Sequence, residues 1–186
     1  MKCSAFIATS ADGFIARAKG EINWLHSSGR TDVDLGEQAD MGFHDYITSV
    51  DCMVMGRNTL ETIAAMNLTT EQWPYKDLKV VAISSSLQQA PSGLPEAVEI
   101  HNGSLVELVS LLKAQGFNSL YVDGGTTIQN FIREGLLNEI TITQIPRLIG
   151  SGISLFGEIE ADVHLRQAKA QAYANDFVQL SYQLEY

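Results

Sequence analysis

Positive charge is scarce in this sequence: 12 lysines and arginines stand against 22 aspartates and glutamates, a net charge of −10. Such a balance supplies no basic patch for a phosphate backbone, which excludes general nucleic-acid binding. A small anionic ligand remains within reach, through a few local donors acting against the overall field. Cysteine is almost missing. Cys3 and Cys52 lie far apart, each inside an apolar stretch, and no C-x-x-C pair exists to build a redox or zinc site. Both read as buried free thiols. The four histidines, His26, His44, His101 and His164, are scattered, so no metal site is expected. Nor is there a run of about 18 apolar residues that could span a bilayer. The apolar stretch Cys3 to Ala8 is too short for a secretory signal, and a cytoplasmic protein is expected. The P-loop, the G-x-S-x-G elbow, H-E-x-x-H and the G-x-G-x-x-G dinucleotide fingerprint are all lacking.

What remains is an apolar-rich chain, 45% hydrophobic over 186 residues, with no composition shift or repeat to mark an internal boundary. One domain covering residues 1–186 is expected. Short apolar runs at Cys3 to Ala8, Cys52 to Met55, Leu78 to Ile83, Val98 to Ile100 and Leu120 to Val122 read as buried strands. Helical spacing occupies Leu35 to Val50, Thr59 to Met66, Leu105 to Ala114 and Ile128 to Leu136 between them. Glu139 to Ile145 alternates like a strand, and His164 to Tyr186 reads as a closing antiparallel hairpin around Asn175-Asp176. The fold class is therefore α/β, with a mostly parallel sheet covered by helices on both faces. In such sheets ligands bind at the carboxyl ends of the strands.

Those ends share a chemistry. The second strand ends in Gly56-Arg57-Asn58-Thr59, the third in Ser84-Ser85-Ser86, and the one from Leu120 in Asp123-Gly124-Gly125-Thr126. Gly turns into helix N-termini, with one arginine and several hydroxyls, suit phosphate groups. Each alone is also an ordinary turn or cap. Together with the long loop Thr9 to Arg30, three such ends can hold a pyrophosphate and one further phosphate, as a dinucleotide demands.

The order and spacing of Ala8, Asp12-Gly13-Phe14-Ile15-Ala16, Trp24, Met55-Gly56-Arg57-Asn58-Thr59, Ile83-Ser84-Ser85 and Asp123-Gly124-Gly125 resemble the dihydrofolate reductase-like superfamily. The stretch from Val122 to Phe156, with Gly135-Leu136-Leu137-Asn138-Glu139 and Ile145-Pro146-Arg147, is most similar to the riboflavin-biosynthesis reductase domain. The resemblance implies a sheet of about eight strands and an NADPH-dependent reductase acting on a small molecule. It places Ala8 and Ile15 at the nicotinamide, Gly56, Arg57, Asn58 and Thr59 at the phosphates, Ser84 and Ser85 at the adenosine 2′-phosphate, and Gly124, Gly125 and Thr126 at the pyrophosphate. Serines in place of an acidic residue leave room for that 2′-phosphate, which favours NADPH over NADH. Trp24 and Phe43 are the expected substrate contacts, and Asp40, in the helix before Met55, the expected proton donor. The loop holding Trp24 is expected to close over the nicotinamide. A homodimer is expected from the resemblance. Dihydrofolate reductase itself, and a non-catalytic NADPH-binding module, are the alternatives.

Overall fold

The computed structural model describes residues 1–95 and 97–186. Its sheet contains β1 (Lys2–Ser10), β3 (Cys52–Gly56), β4 (Lys79–Ile83), β5 (Glu99–His101), β6 (Ser119–Asp123), β7 (Glu139–Ile145), β9 (His164–Ala172) and β10 (Val178–Glu185), and its helices α2 (Phe43–Thr48), α3 (Arg57–Ala65), α4 (Leu105–Ala114) and α5 (Gly125–Arg133) pack around it. The strand order is β5-β4-β3-β6-β1-β7-β10-β9. The first six are parallel, β10 runs antiparallel to β7, and β9 antiparallel to β10. This is the eight-stranded sheet with a C-terminal hairpin that the sequence implies.

Alternation along the central strands divides the core between the two faces. Cys52 and Val54 of β3, with Val122 of β6, pack with Leu108, Leu112, Ile128 and Phe131 of α4 and α5. Met53 and Met55 of the same strand turn to the other face, with Ile47 of α2, Leu60 of α3, Trp73 and Tyr121. Both thiols are buried and free. Burial pushes Cys3 up to about 11 and Cys52 up to about 12, so neither is a thiolate near neutrality. Among the described residues no helix is long and apolar enough to cross a membrane.

Two segments differ from the sequence expectation. The stretch Leu35 to Val50 is not one helix: Gly36–Gln38 forms a 3-10 turn, and α2 starts only at Phe43. Gly36, Met41 and Gly42 have φ of 52°, 55° and 81°, left-handed conformations that interrupt a right-handed helix however well the apolar spacing fits. The loop Thr9 to Arg30 is also built rather than open. It holds β2 (Phe14–Ala16) and the one-turn α1 (Asn23–His26), and β2 pairs with β8 (Ile153–Ser154) in a separate two-stranded ribbon. Asp12 pins this loop by accepting from the backbone N–H of Ile149 and of Gly150, the latter at 2.7 Å. Those bonds and the Ser10 hydroxyl, the largest influence, hold its carboxyl below the ordinary range.

Candidate active site at the carboxyl ends of the strands

β3 and β6 are neighbours, with Met55 opposite Asp123, so the helices that follow them begin side by side. The approach is close. A Cβ on Gly56 would lie 2.8 Å from Thr127 Oγ1, and one on Gly124, whose φ is +91°, would lie 2.6 Å from Thr59 Oγ1. Glycine is required at both positions, by contact at Gly56 and by contact and conformation at Gly124. Neither α3 nor α5 has a side chain at its N-cap accepting from its first N–H groups, whereas α4, which follows β5, is closed by a capping box between Ser104 and Glu107. Two uncapped helix N-termini thus converge, each carrying the partial positive charge of its dipole.

Beside them opens a cavity of about 510 Å³ lined by Arg57, Ile83, Ser84, Ser85, Ser86 and His101, with Asn102 and Gly103 at its rim. Ser84 is buried and its hydroxyl accepts from the backbone N–H of Ser86 and Leu87, which fixes the turn. Ser85 and Ser86 are exposed, as are Arg57 and Asn58. Arg57 makes only a loose pair with Glu61, at 3.9 Å, and its guanidinium stays available to a ligand.

On the α2 side of the sheet, the same edge carries an aromatic wall. Phe43 meets Phe6 and Tyr121 edge-on at centroid distances of 5.7 and 6.4 Å, and Tyr46 meets Tyr121 at 5.2 Å. Asp123 ends β6 here, where its Oδ1 accepts from the Tyr121 hydroxyl at 3.2 Å. Burial raises this carboxyl above its ordinary range, against the lowering pull of the Gly124 N–H and the Tyr121 hydroxyl. Ala8 lies near the end of β1, partly exposed, with Thr143 of β7 as its register partner. Thr143 is in turn joined to Gln179 of β10, whose amide donates to both Thr143 Oγ1 and the Met41 carbonyl.

The model of the RibD C-terminal domain matches residues 2–179 of this chain. The chain belongs to that family. Within the RibD C-terminal domain family it is 31% identical over 182 residues to the uncharacterized protein YwjB of Bacillus subtilis (strain 168), covering 97% of each chain. It also superposes on a protein of Shewanella sp. PV-4 assigned to riboflavin biosynthesis, with a TM-score of 0.86, 38% identity and complete coverage of both chains. Dihydrofolate reductase from Enterococcus faecalis, complexed with NADP(H), shares the fold at a TM-score of 0.63 and 15% identity, over 100% of this chain and 97% of that one.

Several residues of this RibD C-terminal domain sit otherwise than the sequence suggests. Asp40 is exposed, not enclosed in an apolar pocket. Its two carboxylate oxygens accept from the N–H of His44 and of Gly42, which hold it below the ordinary range, so its geometry is that of a turn-capping carboxylate. Trp24 is 1% exposed and covered by protein, with an indole N–H that has no partner among the described residues. Its segment is anchored by Arg147 to the Ser27 carbonyl and by the Arg30 N–H to the Asn175 carbonyl, as well as through Asp12. Gly125 faces inward: a Cβ there would lie 2.5 Å from Ile15 Cδ1 and 3.7 Å from Ile153 Cγ2. Gly125→Val is accordingly expected to push the β2–β8 ribbon off α5 and to lower stability by about 1–3 kcal/mol, the usual cost of overpacking. Thermal melting checks this, and an unchanged midpoint would show that Ile15 yields without cost. Thr126, by contrast, is exposed in the first turn of α5.

Asp123 and His101 are the two residues that sequence reasoning passed over. Asp123 was visible as the residue before the glycine pair, and His101 as the last residue of a parallel strand. Each needed the register to bring it to the site.

Proposed function

We propose that this chain is an NADPH-dependent reductase of the riboflavin-biosynthesis type, acting on a small heterocycle or aminosugar at a C=N or C=O bond. The observation that supports this best is the pair of uncapped helix N-termini meeting across Gly56 and Gly124 beside the cavity that Arg57 and Ser84 to Ser86 line. A bound dinucleotide fits these residues: the first turns of α3 and α5 face its pyrophosphate, and Arg57 with Ser85 and Ser86 faces its 2′-phosphate. Ala8 and Ile15 would flank the nicotinamide. When bound, that coenzyme supplies a hydride.

The chain's own part is to orient the substrate and deliver a proton. Phe6 and Phe43, partly buried and edge-on to one another over the buried Tyr121, offer apolar surface for a heterocycle. Asp123, whose carboxyl burial raises above its ordinary range, would give a proton from Oδ2 while Oδ1 stays bound to Tyr121. A folate-type substrate fits less well, because Lys79, which begins β4 where folate reductases carry an arginine for the acidic tail, is paired with Glu99. A binding module without turnover would use the same phosphate residues and leave Asp123 idle. Incubation with NADPH and a panel of pterins, aminopyrimidines and simple carbonyls, followed by loss of reduced-nicotinamide absorbance, tests the reading. Turnover with an aminopyrimidine is the expected result, and binding without turnover on any substrate would favour the module. Buried reduced thiols suit a cytoplasmic setting.

We further propose a homodimer formed through β9. All nine of its residues are exposed and it closes the sheet with an unpaired edge. Sedimentation at micromolar concentration is expected to give twice the chain mass of 20.3 kDa, and the single-chain mass would contradict it.

A further inference from the structure

We propose that His101 is a coenzyme-specificity residue whose protonation sets how strongly this chain prefers a 2′-phosphorylated nicotinamide nucleotide. The inference rests on the NADPH reading above and deepens it. His101 is the last residue of β5, in register with Ile83 of β4, and both line the 510 Å³ cavity with Arg57 and Ser84 to Ser86. Among the described lining residues Arg57 is the one permanent cation, and the chain carries a net charge of −10. A phosphate dianion there meets one full positive charge in an unfavourable field, so a second local charge has a large relative effect.

The ring is held for that purpose. His101 Nε2 lies 3.3 Å from the Ser104 carbonyl, to which it can donate, leaving Nδ1 without a partner among the described residues. Gly103 makes the space: a Cβ there would stand 2.8 Å from Nε2. The charges around it are Glu107 of α4, already engaged with the Ser104 N–H, Arg57 of α3, and the Lys79–Glu99 pair on β4 and β5. An adjoining cavity of about 720 Å³ that shares Ile83 and Gly103 adds Arg133, Glu134, Glu160 and Asp162.

The experiment is a binding titration of the intact chain with NADPH and with NADH across about pH 5 to 8, the range in which histidine changes charge. As pH rises, the ratio of NADPH to NADH affinity is expected to fall by about tenfold, the scale of one charge-assisted hydrogen bond. The phosphate itself works in the opposite sense, since a phosphomonoester gains its second charge near about pH 6 and then pairs better with Arg57. In His101→Gln the ratio should therefore stay level or rise, and in His101→Lys it should remain high throughout. NADH, which lacks the group, should bind all three proteins equally and reports that they are folded. A falling ratio in His101→Gln, or a level one in the wild type, overturns the role of His101 alone. Failure of the wild type to bind either nucleotide overturns the NADPH reading with it.

Discussion

Asp123→Asn is expected to lower kcat by about 10²- to 10³-fold, within the range attributed to a positioned general acid. The carboxyl ends β6 between the aromatic wall and the glycine pair, and burial raises it above its ordinary range. As the acid form is lost with rising pH, kcat in the wild type should decline through the raised value, while the asparagine variant should be slow and flat. Stability should move the other way. A group whose folded value is raised contributes most below its unfolded value, about 3.9 for Asp, and loses that contribution as pH rises through the folded value. At neutral pH the wild type therefore carries a cost that asparagine removes, and the variant should melt higher. Asp40→Asn is the comparison: it should retain the rate and its pH limb with little change in stability, because the asparagine oxygen can still accept one of the two backbone bonds that cap the turn. Reversed behaviour of the two variants in a pH–rate profile would return the proton to Asp40.

Arg57→Ala is expected to weaken NADPH binding by about 1.5–3 kcal/mol, the range for hydrogen bonds to a charged group, or about 10- to 150-fold in Kd. The side chain is half exposed and its partner Glu61 lies 3.9 Å away, so little intramolecular pairing must be broken for it to reach a phosphate. Arg57→Lys should recover part of the loss, since a point charge replaces the planar fork. Because the site is open to solvent, raising salt from low to physiological levels should reduce the wild-type affinity and narrow the gap to the alanine variant. Calorimetry with NADPH measures both effects, and an unchanged affinity in Arg57→Ala would remove this residue from the site.

The centre of the sheet was legible because its inner strands are buried on both faces, and runs such as Cys52 to Met55 and Leu120 to Val122 carry that in their composition. The phosphate side was legible for a related reason, since Gly56 and Gly124 announce themselves by residue type. Their partners did not. That Gly56 faces Thr127 and Gly124 faces Thr59 follows from the β3–β6 register, which joins segments about 70 residues apart. Counting back from Met55 assumes one continuous helix, whereas the left-handed Met41 and Gly42 turn the chain so that Asp40 caps in water. The Gly-rich stretch around Trp24 looks mobile in sequence, whereas Asp12 secures it through bonds to a loop 137 residues further on. His101 sits on a three-residue strand too short to single out by periodicity.

The central claim is that the converging N-termini of α3 and α5 hold a reduced nicotinamide dinucleotide, and calorimetric titration of the wild-type chain with NADPH at low salt tests it most directly. One NADPH per chain, bound more tightly than NADH and lost on raising salt, is the predicted result. No heat of binding for either nucleotide, in a protein that melts cooperatively, would contradict it.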